Sequence, residues 1–129
     1  MPKTFNTNYE LVNAAMSGNA KAVRKILDDE IENNNLALYC AAANGCAEIV
    51  KMLIEAGSDV HTNDDAALRL ASSRGHVETV KVLLKAGADL HAEEGAALRW
   101  ALENGHDEVV DLLNESASKN KSSAAVRMS

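Results

Sequence analysis

The chain repeats itself most clearly in Gly45-Cys-Ala-Glu-Ile-Val-Lys-Met-Leu-Ile-Glu-Ala-Gly-Ser-Asp-Val-His61, which recurs 30 residues later as Gly75-His-Val-Glu-Thr-Val-Lys-Val-Leu-Leu-Lys-Ala-Gly-Ala-Asp-Leu-His91. A third copy begins at the same step with Gly105-His-Asp-Glu-Val-Val-Asp-Leu-Leu113. In the other direction, Asn13-Ala-Ala-Met-Ser-Gly18 lies 27 residues before Cys40-Ala-Ala-Ala-Asn-Gly45. A period in this range is typical of stacked repeats that bury their apolar faces against one another. The spacing therefore predicts four repeats.

Within each repeat the pattern predicts two helices joined by a tight turn. Residues 66–74 are mostly small and apolar and favour a short first helix. Gly75 can take the left-handed conformation that ends such a helix. Apolar residues at helical spacing then indicate an amphipathic second helix over residues 77–86. Each unit is thus helix, turn, helix and a short connector.

The starts of the first helices can be predicted from capping. The residues that precede them in the four repeats are Asn8, Asn35, Asp65 and Gly95. All four are favoured N-cap types, and an Asn or Asp side chain can accept from the unpaired amides of the first turn. The capping residues and the periodicity therefore predict the same start for each first helix.

Composition limits the class of protein. The 129 residues are 47% hydrophobic and 25% charged, an ordinary balance for one globular domain. No apolar run suits a membrane span or a signal peptide, so we expect an intracellular protein. The net charge of −6, with interleaved signs, argues against nucleic acid as a partner. Cys40 and Cys46 do not form a disulfide framework, and we expect reduced thiols.

Residues 45–61 and 75–91 resemble the second half of the ankyrin repeat, and the resemblance covers roughly residues 8–118. It implies an elongated stack of helix pairs that binds other proteins through its concave side and its connecting loops. The family's Thr-Pro-Leu-His motif is absent, since the chain has Leu36-Ala-Leu-Tyr39, Ala66-Ala-Leu-Arg69 and Ala96-Ala-Leu-Arg99 at that place. The shortened repeat resembles ankyrin arrays of large DNA viruses of amoebae, which implies action in host cytoplasm.

We therefore predict an all-α, ankyrin-like solenoid of four stacked helix-turn-helix repeats with short connecting loops. The repeat domain is predicted to span residues 1–118, with repeats at about 7–33, 34–63, 64–93 and 94–118. The last unit has Asn114 and Ala117 where the preceding unit has Leu84 and Gly87, which indicates a polar terminal cap. Residues 119–129 are predicted to be a polar C-terminal tail, either mobile or a frayed helix extension.

Catalytic and metal sites are not indicated. The histidines His61, His76, His91 and His106 recur with the repeats, and one repeat width separates equivalent positions, so structural turn roles are favoured over a metal site. Cys46 stands where His76 and His106 stand, and no third orienting residue accompanies a Cys–His pair. We predict no enzyme activity, no metal and no cofactor.

Candidate partner-binding residues come from the first helices and their ends. The residues just before the repeat glycines vary between repeats. Such variation arises either because these positions are free to change or because they are adapted to a partner. Arg69 and Arg99 either grip a partner carboxylate or pair locally with Asp64, Asp65, Glu93 or Glu94, and the structural role is favoured. Trp100 is either an inner-helix packing residue or an interface anchor. The full set is Met16, Ser17, Ala43, Asn44, Arg69, Ser73, Arg74, Arg99, Trp100, Glu103 and Asn104.

The predicted function is a non-enzymatic protein-protein interaction module that binds another protein through the concave inner-helix face and loops. Two alternatives stay open: an inhibitor that docks on an enzyme such as a kinase, and a structural spacer fragment of a larger protein. We expect a cytoplasmic monomer without nucleic-acid or membrane partners.

Overall fold

The fold is a row of helix pairs. The structure, a computed structural model, describes the backbone of residues 4–28 and 35–128, and the side chains of residues 9–28 and 35–118. Its helices are α1 Thr4–Ser17, α2 Ala20–Leu27, α3 Asn35–Ala43, α4 Ala47–Glu55, α5 Thr62–Ser73, α6 Val77–Lys85, α7 Ala92–Glu103 and α8 Asp107–Met128. Over these residues the chain contains no strand. The predicted all-α class is confirmed.

The helices stack in two rows. The first helices α1, α3, α5 and α7 contact one another in chain order, and so do the second helices α2, α4, α6 and α8. Contacts within the first row are the more extensive. The fully buried alanines Ala41, Ala71 and Ala101 allow these helices to approach closely. The predicted stack of repeats is therefore present, with one continuous core between the rows.

The turn inside each pair is the predicted glycine turn. Gly75 has a φ of 77°, a left-handed conformation that costs glycine little. Its amide donates to the Ser72 carbonyl at 3.2 Å, and the His76 amide donates to the Ala71 carbonyl at 2.9 Å. These two bonds satisfy carbonyls that the end of α5 leaves unpaired.

The predicted side-chain N-caps are wrong. Asn35 Oδ1 accepts from the Asp59 amide at 2.9 Å, and Asp65 Oδ2 accepts from the Asp89 amide at 2.7 Å. Both side chains thus hold a connector 24 residues further along the chain instead of their own first turn. Asn8 lies inside α1, and Gly95 has a φ of 74°. The competing donors are the connector amides of Asp59 and Asp89, whose position depends on the tertiary stack.

The C-terminal end differs in part from the predicted polar cap. The second-helix side is polar, because Asn114 and Ser118 are exposed. On the first-helix side, however, Leu102 is 58% exposed, while Ala42 and Ser72 at the matching positions are 0% exposed. Helix α8 also continues across the predicted boundary at residue 118 to Met128.

Candidate functional site

Part of the accessible surface of the first-helix row is formed by the residues six and five positions before each repeat glycine. In repeats two to four these residues are exposed or half-buried, whereas the alanine that follows each pair is buried. We call this surface the first-helix face. It consists of Tyr39, Cys40, Arg69, Leu70, Arg99 and Trp100.

Near its N-terminal end, α5 contains a run of three left-handed residues that interrupts the regular helix and belongs to the connector between repeats. Arg69 stabilises this run. Asn63, Asp64 and Asp65 have φ values of 54°, 56° and 58°. Each such residue costs about 1–2 kcal/mol relative to a right-handed conformation. The Arg69 guanidinium donates from Nη2 to the Asn63 carbonyl at 2.8 Å and from Nε to the Asp64 carbonyl at 3.0 Å. These charge-assisted bonds offset part of that cost.

Arg99 repeats the arrangement one unit later. Its Nη2 donates to the Glu93 carbonyl at 3.0 Å and its Nε to the Glu94 carbonyl at 3.4 Å. Both arginines thus make local bonds, as the sequence favoured, and a partner role for either stays a prediction. The acceptors are backbone carbonyls, however, and not the carboxylates that were expected.

Trp100 is held by the same arginine that orders the preceding connector. Arg69 Cζ lies 5.6 Å from the centre of the Trp100 ring, within the range of a cation–π contact. The ring is half-buried, so one part packs against the stack while another part remains open to solvent. The structure therefore brings Arg69 and Trp100 together across two adjacent repeats.

The residues that directly precede the repeat glycines form bonds between repeats. Asn44 Nδ2 donates to the Met16 carbonyl at 3.1 Å, and Asn104 Nδ2 donates to the Ser73 carbonyl at 2.9 Å. At the junction between repeats two and three, Arg74 Nη1 donates to the Ala43 carbonyl at 3.0 Å. The structure thus gives these residues a role in holding the stack, and their predicted contact with a partner stays a prediction.

The other candidates beside the glycines differ in exposure. Met16 is 53% exposed, and Ser17 and Glu103 are also exposed, while Ala43 is 9% exposed. Ser73 is half-buried. A partner role for any of them remains a prediction.

The histidines have the local roles that periodicity favours. The His76 ring packs on Gly45, and its Nε2 donates to the Ala43 carbonyl at 3.0 Å. The His106 ring packs on Gly75 in the same way. Among the side chains of residues 9–28 and 35–118, no group of three or more His, Cys, Asp and Glu could hold a metal ion.

His61 is paired with a buried carboxylate. Its Nδ1 lies 3.0 Å from Asp65 Oδ1, and the Asp65 side chain is almost completely buried. The hydrogen bond and the charge of Asp65 raise the pKa of His61. Burial also raises the pKa of the Cys40 thiol, which favours the thiol over the thiolate.

Three exposed apolar residues near the N-terminal end of the first-helix row were not among the predicted site residues. Tyr9 is 69% exposed, Leu36 60% and Tyr39 38%. Leu36 and Tyr39 line a groove of about 370 Å³ together with Asn35, Thr62 and Asn63. The available signal was the repeat alignment, because Leu36 stands where Ala66 stands in the next unit and a large side chain there cannot fit the same packing.

A second groove of about 300 Å³ lies on the other row, between α4 and α6. Its lining includes Lys51, Ile54, Val82 and Lys85. It provides a natural comparison surface, because it belongs to the same repeats but to the opposite face.

The comparisons with known proteins agree with this architecture. The family model described as ankyrin repeats (3 copies) matches residues 3–64 and again residues 58–123. A search of curated proteins found no match. Over the residues that the structure describes, no helix has the length and apolar character to span a bilayer.

Proposed function

Because the chain belongs to the ankyrin repeat family, we propose that it is a non-enzymatic module that binds a partner protein through the first-helix face and the adjoining connectors. Ankyrin repeats generally act in protein–protein interaction. We propose this face as the concave side of the stack, because the first helices contact one another more extensively than the second helices do.

The observation that carries the proposal is the preorganised pair of Arg69 and Trp100. Large aromatic and arginine side chains dominate the binding energy of protein interfaces. Here the guanidinium is fixed by two backbone carbonyls, and it lies over the indole. A partner would therefore have little side-chain entropy to remove at this point, a cost of about 0.5–1.5 kcal/mol for each mobile side chain.

The chemistry of the face suggests the kind of segment that it binds. Tyr39, Leu70 and Trp100 offer apolar surface, and Arg99 is exposed beside them. A protein segment with apolar anchors and a carboxylate near Arg99 would complement this arrangement. We propose a cytoplasmic monomer as the binding species, with neither nucleic acid nor membrane as partner, because the net charge of −6 opposes anionic surfaces.

The test is affinity capture from cell extract with three forms of the full chain. The face variant carries Tyr39→Ala, Arg99→Ala and Trp100→Ala, and the control carries Lys51→Ala and Lys85→Ala on the opposite groove. The wild type and the control should recover the same protein, and the face variant should lose it while keeping its far-UV circular dichroism. Equal recovery by a folded face variant would refute the proposed surface. If the captured partner is an enzyme, its activity with and without this chain would distinguish an adaptor from an inhibitor.

A further inference from the structure

The connectors that lead into α5 and α7 each contain a histidine in the same backbone setting. The His61 amide donates to Asp59 Oδ1 at 2.9 Å, and the His91 amide donates to Asp89 Oδ1, also at 2.9 Å. The backbone angles φ and ψ are −90° and 0° at His61 and −93° and −3° at His91. A difference in behaviour between these two histidines must therefore come from the side chains around them.

The neighbour that differs stands four residues after each histidine. It is Asp65 in the first connector and Gly95 in the second. The Asp65 side chain is only 5% exposed, and His61 Nδ1 lies 3.0 Å and 3.1 Å from its two carboxylate oxygens. Gly95 offers His91 no side chain at all. The buried carboxylate is thus a feature of one connector alone among these two.

The Asp65 carboxylate also holds the next connector. Its Oδ2 accepts from the Asp89 amide at 2.7 Å. One repeat earlier, Asn35 Oδ1 accepts from the Asp59 amide at 2.9 Å in the same way. A neutral side chain is therefore sufficient for this bond, and the charge of Asp65 must have another effect. That effect is to make the bond depend on the protonation of His61.

Three carboxylates face the imidazole of His61, each from a different place in the chain. Asp65 belongs to α5, Asp59 to the histidine's own connector, and Asp89 to the following connector. The hydrogen bond to Asp65 and its charge raise the pKa of His61, burial lowers it, and Asp59 and Asp89 raise it further. An ionised carboxylate only accepts, so Nδ1 carries a proton in this contact. Loss of the other ring proton removes the positive charge and leaves a weaker, neutral donor.

From this geometry, we propose that His61 and Asp65 form a pH-sensitive latch on the connector at residues 89–95. While His61 is protonated, the buried carboxylate has a counter-charge and stays bonded to the Asp89 amide. When His61 becomes neutral, the carboxylate is left buried without that charge, which is unfavourable. Opening of the connector to water relieves this cost. The latch goes beyond the proposed function, because it acts whichever face binds a partner.

The latch also reaches the first-helix face. Arg99 donates to the Glu93 and Glu94 carbonyls, so the connector at residues 89–95 holds one of the side chains of that face. The His61 side chain is 55% exposed, and solvent therefore screens its pairing with Asp65. We expect the pH to change the open fraction of the connector about two- to fivefold, without unfolding the array.

The test is hydrogen exchange of the full chain by NMR, from about pH 6 to about pH 9, which spans the titration of histidine. Division of each exchange rate by the intrinsic rate at the same pH gives a protection factor. Because the pKa of His61 is raised, the protection of the Asp89 amide should be greatest below 6.5. It should then fall about two- to fivefold as the pH rises through the folded-state pKa.

Three variants separate the latch from a general effect of pH. His61→Gln removes the titrating group, and Asp65→Asn keeps an acceptor for the Asp89 amide, as Asn35 does one repeat earlier. Each should abolish the pH dependence of protection at the Asp89 amide. The matched control is His91→Gln, which removes the equivalent histidine without a carboxylate partner and should leave the pH dependence as in the wild type.

Two results would overturn the proposal. One is a protection factor of the Asp89 amide that stays constant over this pH range in the wild type. The other is a pH dependence that survives in folded His61→Gln or that disappears in His91→Gln. The proton chemical shift of the same amide gives a second measurement, since it should titrate together with the His61 ring. If circular dichroism shows that Asp65→Asn does not fold, the two histidine variants decide the question alone.

Discussion

Gly45 and Gly105 offer a matched pair of substitutions that isolates one contact between repeats. Their φ values are 74° and 75°, so an alanine at either position has the same backbone cost of about 1–2 kcal/mol. A Cβ on Gly45 would lie 2.4 Å from His76 Nδ1, whereas a Cβ on Gly105 would meet nothing within 4 Å among the described residues. The two variants should therefore differ only through His76.

The magnitude follows from what the His76 ring must give up. Moving it off its preferred rotamer costs about 0.5–1.5 kcal/mol. The displacement also breaks the bond from Nε2 to the Ala43 carbonyl, 3.0 Å long, which contributes about 1 kcal/mol. We expect Gly45→Ala to lower the free energy of unfolding by about 2.5–4.5 kcal/mol and Gly105→Ala by about 1–2 kcal/mol.

The assay is urea denaturation followed by far-UV circular dichroism and by Trp100 fluorescence. Coincident transitions would establish that the array unfolds as one unit, as a comparison of free energies requires. In a His76→Ala background, the excess cost of Gly45→Ala over Gly105→Ala should disappear. Equal costs in the wild-type background, or an excess that survives without His76, would refute the proposed packing of the ring on the glycine.

Three further predictions concern single side chains. Thr79→Val should raise the free energy of unfolding by about 1–2 kcal/mol in urea denaturation, since the buried Thr79 hydroxyl has no hydrogen-bond partner among the described residues; a loss of stability would contradict this. The Asp65 carboxylate raises the pKa of His61, so protonated His61 stabilises the fold. The stability lost in His61→Gln should therefore be greatest below the usual pKa of 6.5 and should vanish as the pH rises through the folded-state pKa. A stability difference in thermal melts that does not change with pH would argue against the pair. Arg69→Met should shift the emission of Trp100 and Arg99→Met should not, because only Arg69 lies over the indole; equal shifts would exclude the cation–π contact.

The repeat frame could be predicted from the sequence because its causes are local and periodic. A glycine marks each turn, at steps of 27, 30 and 30 residues, and apolar residues at helical spacing mark each second helix. The left-handed run at Asn63, Asp64 and Asp65 could not be predicted in this way. Its stability comes from the Arg69 guanidinium bound to two carbonyls, a contact that periodicity does not report.

The candidate site was only partly predictable for a related reason. Asn44, Arg74 and Asn104 vary between repeats, which suggested contact with a partner. What they share is a side-chain nitrogen, and the structure uses that donor at every junction. Leu36 and Tyr39 were not predicted as surface residues, because large apolar residues are usually buried. The comparison with the alanine and the arginine at the same positions of the next repeat would have indicated their exposure.

Hydrogen–deuterium exchange of the full chain, with and without its captured partner, tests most directly whether the first-helix face is the binding surface. We predict protection in α3, α5 and α7 and in the connectors at residues 59–65 and 89–95, with α4 and α6 unchanged. Protection confined to α4 and α6 would contradict the proposed site and place binding on the opposite row.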